Sequence, residues 1–224
     1  MPILRRIITA FLFFLFLNVQ NILAQENEER IILKMQDWPE QQLKYAREIA
    51  DSHIKCSKEE KEVIFYCNLV RINGPLFEKT ILNQYLQESG YTETGGYVES
   101  LRDDLKKLPV DKLTLFAYDE KLFAVSKKFA LDGGKKGIVG HDGFDDRLKD
   151  FSTTNYCVAE NCSYGLKDPL ASFMMLLIDE GIVGVGHRKN LLYSTFEYGS
   201  AAFAPHKKYR INMVMNFTCG KMGK

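Results

Sequence analysis

The chain has 224 residues, with 30 Lys and Arg against 29 Asp and Glu and a formal net charge of +1. That balance gives no reason to expect nucleic acid or an acidic polymer as a partner. The length suits one domain with room for a helical extension. Five cysteines without a Cys-x-x-Cys spacing count against a zinc ribbon or a thioredoxin-like motif.

Arg5 and Arg6 precede an apolar run over residues 7–17, and Ala24 stands before a polar stretch, so residues 1–24 have the pattern of a secretory signal peptide. The apolar run is shorter than the roughly 20 residues that span a bilayer, so no stable membrane insertion is expected after cleavage. Loss of the two arginines moves the net charge from +1 to −1. The expected location is secreted or periplasmic, where disulfides form, and an odd number of cysteines leaves at least one outside any internal pair. The pairing is not readable.

Residues 25–56 are expected to form an N-terminal helical extension, with a surface helix over 40–54 behind Pro39 that serves for docking or as a spacer. Ser57-Lys58-Glu59-Glu60 is a capping box, in which the serine hydroxyl accepts from the Glu60 amide and the Glu60 carboxylate reaches back. The apolar residues behind it predict a largely buried helix that stops at Gly74-Pro75. Further amphipathic helices are expected over 77–88, ending at Ser89-Gly90, and over 97–108, closed by Pro109. Asp119 can cap another, with Leu122, Phe123, Val125, Phe129 and Ala130 as its buried stripe and a stop at Asp132-Gly133-Gly134.

Residues 135–149 are rich in glycine and aspartate and predict a loop. A short strand is expected over 156–160. Asp168-Pro169 opens a strongly apolar helix that runs to Gly181. Residues 198–204 and 209–218 predict a terminal hairpin around Pro205-His206-Lys207-Lys208. Helices first and antiparallel strands last define an α+β chain with helices packed on a sheet.

Chemistry concentrates between residues 140 and 192. His141 and His187 each follow a glycine, and a neutral imidazole serves equally as metal ligand or as acid and base. Taken singly, each fits a loop histidine that bonds the backbone just as well. Glu160 ends an apolar strand, where burial without a partner would raise its pKa and a neighbouring imidazole would supply that partner. Asp179 or Glu180 offers a second carboxylate at a helix C-terminus, where the helix dipole opposes it. His53 and His206 are expected to face solvent.

Other motifs fail. The glycines at 181, 184 and 186 follow a helix rather than a strand, against a nucleotide loop. Residues 142–146 lack the spacing of a calcium loop, and no Gly-x-Ser-x-Gly elbow occurs. Cys157 and Cys162 are expected in a disulfide or in core packing. Asn161-Cys162-Ser163 and Asn216-Phe217-Thr218 fit the glycosylation sequon.

Gly140-His141-Asp142-Gly143-Phe144 with Arg147, then Ala159-Glu160-Asn161 and Tyr164-Gly165, then Gly186-His187-Arg188-Lys189-Asn190-Leu191-Leu192, together resemble the CAP superfamily. That family includes cysteine-rich secretory proteins, venom allergens, plant pathogenesis-related proteins and many bacterial secreted proteins. The likeness covers residues 57–218, and the CAP-like (SCP) domain is set at 57–224. It implies a three-layer α-β-α sandwich with an antiparallel central sheet and a cleft holding two histidines and two acids. His141, Glu160 and His187 fall on three of those positions, and Asp179 or Glu180 fills the fourth. The resemblance also implies that His141 and His187 are the ligands of zinc or another divalent metal. The family's usual tryptophan is absent from the helix before His187, and the form is closest to bacterial members. The function expected is a secreted module whose cleft takes a small-molecule, lipid or glycan ligand. The alternatives are a metal-assisted hydrolase of an extracellular peptide or cell-wall polymer, with Glu160 activating water, and a structural polar cluster.

Overall fold

In the computed structural model, residues 31–151 and 157–220 are described, so the signal peptide expected over residues 1–24 lies outside them. Helix α1 (Glu40–Asp51) starts behind Pro39. Helix α2 (Lys58–Ile72) begins at the Ser57 capping box, with both reciprocal bonds in place. Glu60 is almost fully buried because its carboxylate does more than cap. It also accepts from Lys127 Nζ at 2.8 Å and from the Phe203 amide at 2.9 Å. A Ser57→Ala change should cost about 1 kcal/mol of unfolding free energy, the usual worth of an N-cap. Denaturant titration checks it, and a loss near zero would mean that the other Glu60 bonds hold the helix start unaided.

Next come α3 (Gly74–Phe77), a π-helical turn (Glu78–Leu82) and α4 (Asn83–Glu88). Helices α5 (Tyr97–Lys107) and α6 (Glu120–Lys136) follow, the latter capped by Asp119. The predicted stop at Gly133-Gly134 does not occur. Helix α6 runs on to Lys136, with Gly137 as its left-handed C-cap, and Gly134 lies where a Cβ would come within 2.2 Å of the Pro205 carbonyl. Glycine there permits a close approach of helix to strand. The loop over 135–149 contains a short helix, α7 (Phe144–Leu148).

Strand β1 (Val158–Tyr164) leads to α8 (Pro169–Ile178), which Asp168 caps through the Ala171 amide. Helix α9 (Gly186–Leu192) then precedes β2 (Tyr198–His206) and β3 (Arg210–Thr218). The three strands form an antiparallel sheet in the order β1-β3-β2. The chain is α+β. Side-chain alternation assigns the faces. Ala201, Met213, Met215 and Phe217 join the larger apolar core with α2 and α8, while Cys162, Ala202 and Val214 pack on Phe129 and Ala130 of α6. Helices therefore clothe both faces. Trp38, Ala46 and Ala50 belong to that larger core, so α1 and the residue ahead of it are integral to the packing. No helix among the described residues is long and apolar enough to cross a membrane.

Two sequence expectations need correction. His53 and His206 do not face solvent; both are buried. His53 Nε2 lies 3.1 Å from the Phe116 carbonyl and His206 Nε2 2.9 Å from that of Ile138, each across more than sixty residues of chain. The Asn161 and Asn216 sequons are buried in the folded chain, with Asn161 donating to the His187 carbonyl and Asn216 to Ser126 Oγ. Cys157 and Cys219 form a disulfide one residue beyond the Val158–Thr218 pair, where β1 and β3 open, and Cys56, Cys67 and Cys162 are free.

Candidate functional site

Glu160 projects from β1 on the face shared with α6. Its side chain is 1% exposed and accepts from three nitrogens, with the Cys162 thiol a longer fourth donor at 3.8 Å. His141 Nδ1 lies 3.0 Å from Oε1, and Arg147 spans the carboxylate with bonds of 2.6 Å to Oε2 and 2.9 Å to Oε1. Arg147 also donates to the Asp142 carbonyl and stacks 3.6 Å over the Phe129 ring. Burial pushes the Glu160 carboxyl up, but the bonds from His141 and Arg147 outweigh it and hold the group below the usual carboxylate range.

The second pair is built at the joint between α8 and α9. Asp179 ends α8 in the left-handed region, at φ 60°, which turns its side chain back under the next helix. Its Oδ1 lies 2.7 Å from His187 Nδ1, and its Oδ2 accepts from the amides of His187 and Arg188 at 2.9 and 3.2 Å. Val185 before it also has positive φ, at 47°, a conformation costly for a β-branched residue that persists only where surroundings over-determine it. Asp179 supplies that constraint by holding the first turn of α9. Glu180 points elsewhere, to the Tyr91 hydroxyl and to Thr94.

The two imidazoles come together with ring centroids 6.5 Å apart. A carboxylate can only accept, so each ring donates from Nδ1 and presents an Nε2 lone pair. His141 is half-exposed and His187 largely covered. His141, Glu160 and Cys162 also place donor atoms within 4.8 Å of one another, a group that could hold a metal ion. Burial pushes the Cys162 thiol well up and the Glu160 charge adds to this, so it stays protonated.

Sequence reasoning missed two residues that set this geometry. Asn161 donates to the His187 carbonyl and accepts from Asn190, tying β1 to α9. Arg188, 1% exposed, donates to the carbonyls of Tyr97, Leu177 and Ile178 and so fixes α9 on α5 and α8. The adjacent Gly-His and Leu-Leu motif was the available signal for both.

The fold and site define an α+β domain that brings two carboxylate-anchored imidazoles together. No family model matches the chain and no curated protein matches it. Among solved structures it is similar to an extracellular protein containing an SCP domain from Bacillus anthracis, at 17% identity and TM-score 0.42, covering 72% of this chain and 40% of that one. It is also similar to an outer surface protein from Borrelia burgdorferi, at 18% identity and TM-score 0.39, covering 56% of this chain and 89% of that one. A cysteine-rich secretory protein from Staphylococcus aureus matches at 17% identity and TM-score 0.35, covering 55% of this chain and 38% of that one. This chain therefore spans less than half the length of the first and third of these.

Proposed function

We propose that this chain is a secreted, bacterial-type CAP-domain protein whose cleft binds an extracellular ligand at His141 and His187, and that these two residues are the protein ligands of a divalent ion, zinc foremost. One observation carries the reading. Both imidazoles are oriented by buried carboxylates so that both Nε2 lone pairs are available. Carboxylate-anchored histidines are what a metal or a hydrogen-bond donor requires, because the anchor fixes the tautomer and raises basicity.

The donor set suits the ion imperfectly, which favours binding over preformed catalysis. Two imidazoles on one tetrahedral ion, each roughly 2 Å from it, hold their centroids about 5 Å apart. The rings here stand at 6.5 Å. The half-exposed His141, on its loop, is the ring free to close that gap. Glu160 is a poor further ligand, since Arg147 occupies both carboxylate oxygens. The same Arg147 clamp argues against Glu160 as the base of a hydrolase. A carboxylate with a depressed pKa and both oxygens bonded has little capacity to take a proton from water. When bound, the ion would supply a Lewis acid; His141 and His187 would hold it while Glu160 and Asp179 orient them.

Zinc titration by calorimetry at neutral pH tests this. Saturable binding is expected, weakened by about a hundredfold in His141→Ala and in His187→Ala and by about tenfold or more in Asp179→Asn. Binding that is absent, or unchanged in all three variants, would remove the metal from the proposal.

A further inference from the structure

Among the described residues, strand β1 is an edge, paired only with β3. The other edge, β2, is partly covered by Ala117, which exchanges main-chain bonds with Glu197 and Gly199. On β1, the Cys219 amide donates to the Cys157 carbonyl and the Gly165 amide to the Ile211 carbonyl. These bonds place residues 157, 159, 161, 163 and 165 with their main chain toward β3. By alternation, Val158, Glu160, Cys162 and Tyr164 turn their N–H and C=O groups outward. Among the described residues, none hydrogen-bonds those outward groups.

The outer edge is not uniform. Gly140 lies against the Tyr164 hydroxyl and the Cys162 thiol, so the His141 loop covers the far half. The near half opens at Cys157, Val158 and Ala159, just ahead of Glu160, into a mainly apolar groove of about 1150 Å³ whose walls include Leu108, Leu192 and Phe196. Asn190, Lys189 and Arg188 of α9 line its other side, and Asn190 also bonds Asn161 beside Glu160. Lys107 and Lys189 stand exposed at it, and neither has a carboxylate partner among the described residues.

We infer that this groove takes an extended, acidic peptide segment that adds to β1 as a strand, its main chain pairing with Val158 and Glu160 and its acidic side chains meeting Lys107 and Lys189. The inference does not depend on the reading of the histidine pair as a ligand site. Outward N–H and C=O groups recurring about every 7 Å along a strand are matched by another polypeptide in extended form. The apolar walls take its alternate side chains, and the two lysines choose the sign of the rest.

The probe is a fluorescein-labelled alternating Glu-Val peptide, followed by anisotropy at low salt. Two derivatives are N-methylated, one on every Glu amide and one on every Val amide. Only one set of amides can face β1, so one derivative should lose at least tenfold in affinity and the other should bind like the parent. Hydrogen exchange at the Val158 and Glu160 amides should slow with the parent peptide bound. Lys107→Glu combined with Lys189→Glu should weaken binding by about tenfold, as two screened ion pairs permit. Equal behaviour of the two derivatives, displacement of an unpaired peptide by a fatty acid, or no binding up to millimolar peptide would each overturn the inference. Zinc affinity of the histidine variants plays no part in these outcomes, so the two readings can fail separately.

Discussion

Replacing Arg188 by methionine is expected to destabilise the chain by about 3–5 kcal/mol, a fall of roughly 10 °C in Tm for a domain of this size. The guanidinium is 1% exposed and uses its full fork. Nε donates to the Leu177 carbonyl at 3.0 Å, one terminal nitrogen to the carbonyls of Ile178 and Tyr97 at 2.6 and 2.9 Å, and the other to Ser100 Oγ and Asp104. Methionine fills much of the space but leaves three carbonyls without this donor, each costing about 1–3 kcal/mol if no water reaches it. The ion pair is the lesser part. Asp104 is 46% exposed, so Asp104→Asn should cost under about 1 kcal/mol. Lysine at 188 should recover little, because an ammonium cannot reach the carbonyls of two helices in one plane. Chemical denaturation of the three variants checks the order. An Arg188→Met protein within 1 kcal/mol of the parent would show that α9 is held by its apolar residues alone. The change should also disturb ligand binding, since Arg188 follows His187 in the turn that Asp179 clamps.

Features made within a few residues were legible in the sequence. The Ser57 box, the Asp119 cap and the Asp168-Pro169 start each satisfy a helix terminus locally, and each stands in the structure. The hairpin also follows from its own alternation, and with the run of helices it gives the α+β class. What escaped depends on distant chain. Gly133-Gly134 has the composition of a stop, yet the helix continues through it, and Gly134 instead makes room for Pro205 of a later strand. Histidines 53 and 206 and arginines 71 and 188 would each be placed at the surface by type, yet distant backbone carbonyls accept from all four and draw them inside. In the candidate site, sequence left Asp179 and Glu180 equivalent. They differ in the structure because a positive φ at Asp179 reverses the chain there and sends adjacent side chains to different neighbours. Glu160 could be expected to find an imidazole, but nothing local indicated that Arg147 would take both of its oxygens.

Buried His53 leads to a pH dependence whose sign and window are fixed. Its ring is wholly enclosed, Nε2–H donates to the Phe116 carbonyl, and Nδ1 has no hydrogen-bond partner among the described residues. A proton added at Nδ1 would place a charge among Tyr118 and apolar neighbours with no acceptor for it. Burial therefore lowers the His53 pKa from 6.5 to about 4; the Phe116 carbonyl opposes the fall and the charge of Lys61 adds to it. Between these values the unfolded chain takes up a proton that the folded chain refuses. Stability from this residue is thus complete above pH 6.5 and is lost as pH falls toward 4. The full loss is roughly 3 kcal/mol, from about 1.4 kcal/mol for each unit. Glu160, held below the usual carboxylate range, loses its contribution only at more acid pH, as the pH falls through its own folded value. Denaturant unfolding across pH 7 to 4.5 should therefore show a steady decline in the parent and a clearly shallower one in His53→Gln, which keeps a neutral donor for Phe116. An identical slope in the two proteins would assign the acid sensitivity to other groups and place a water or a structural opening at Nδ1.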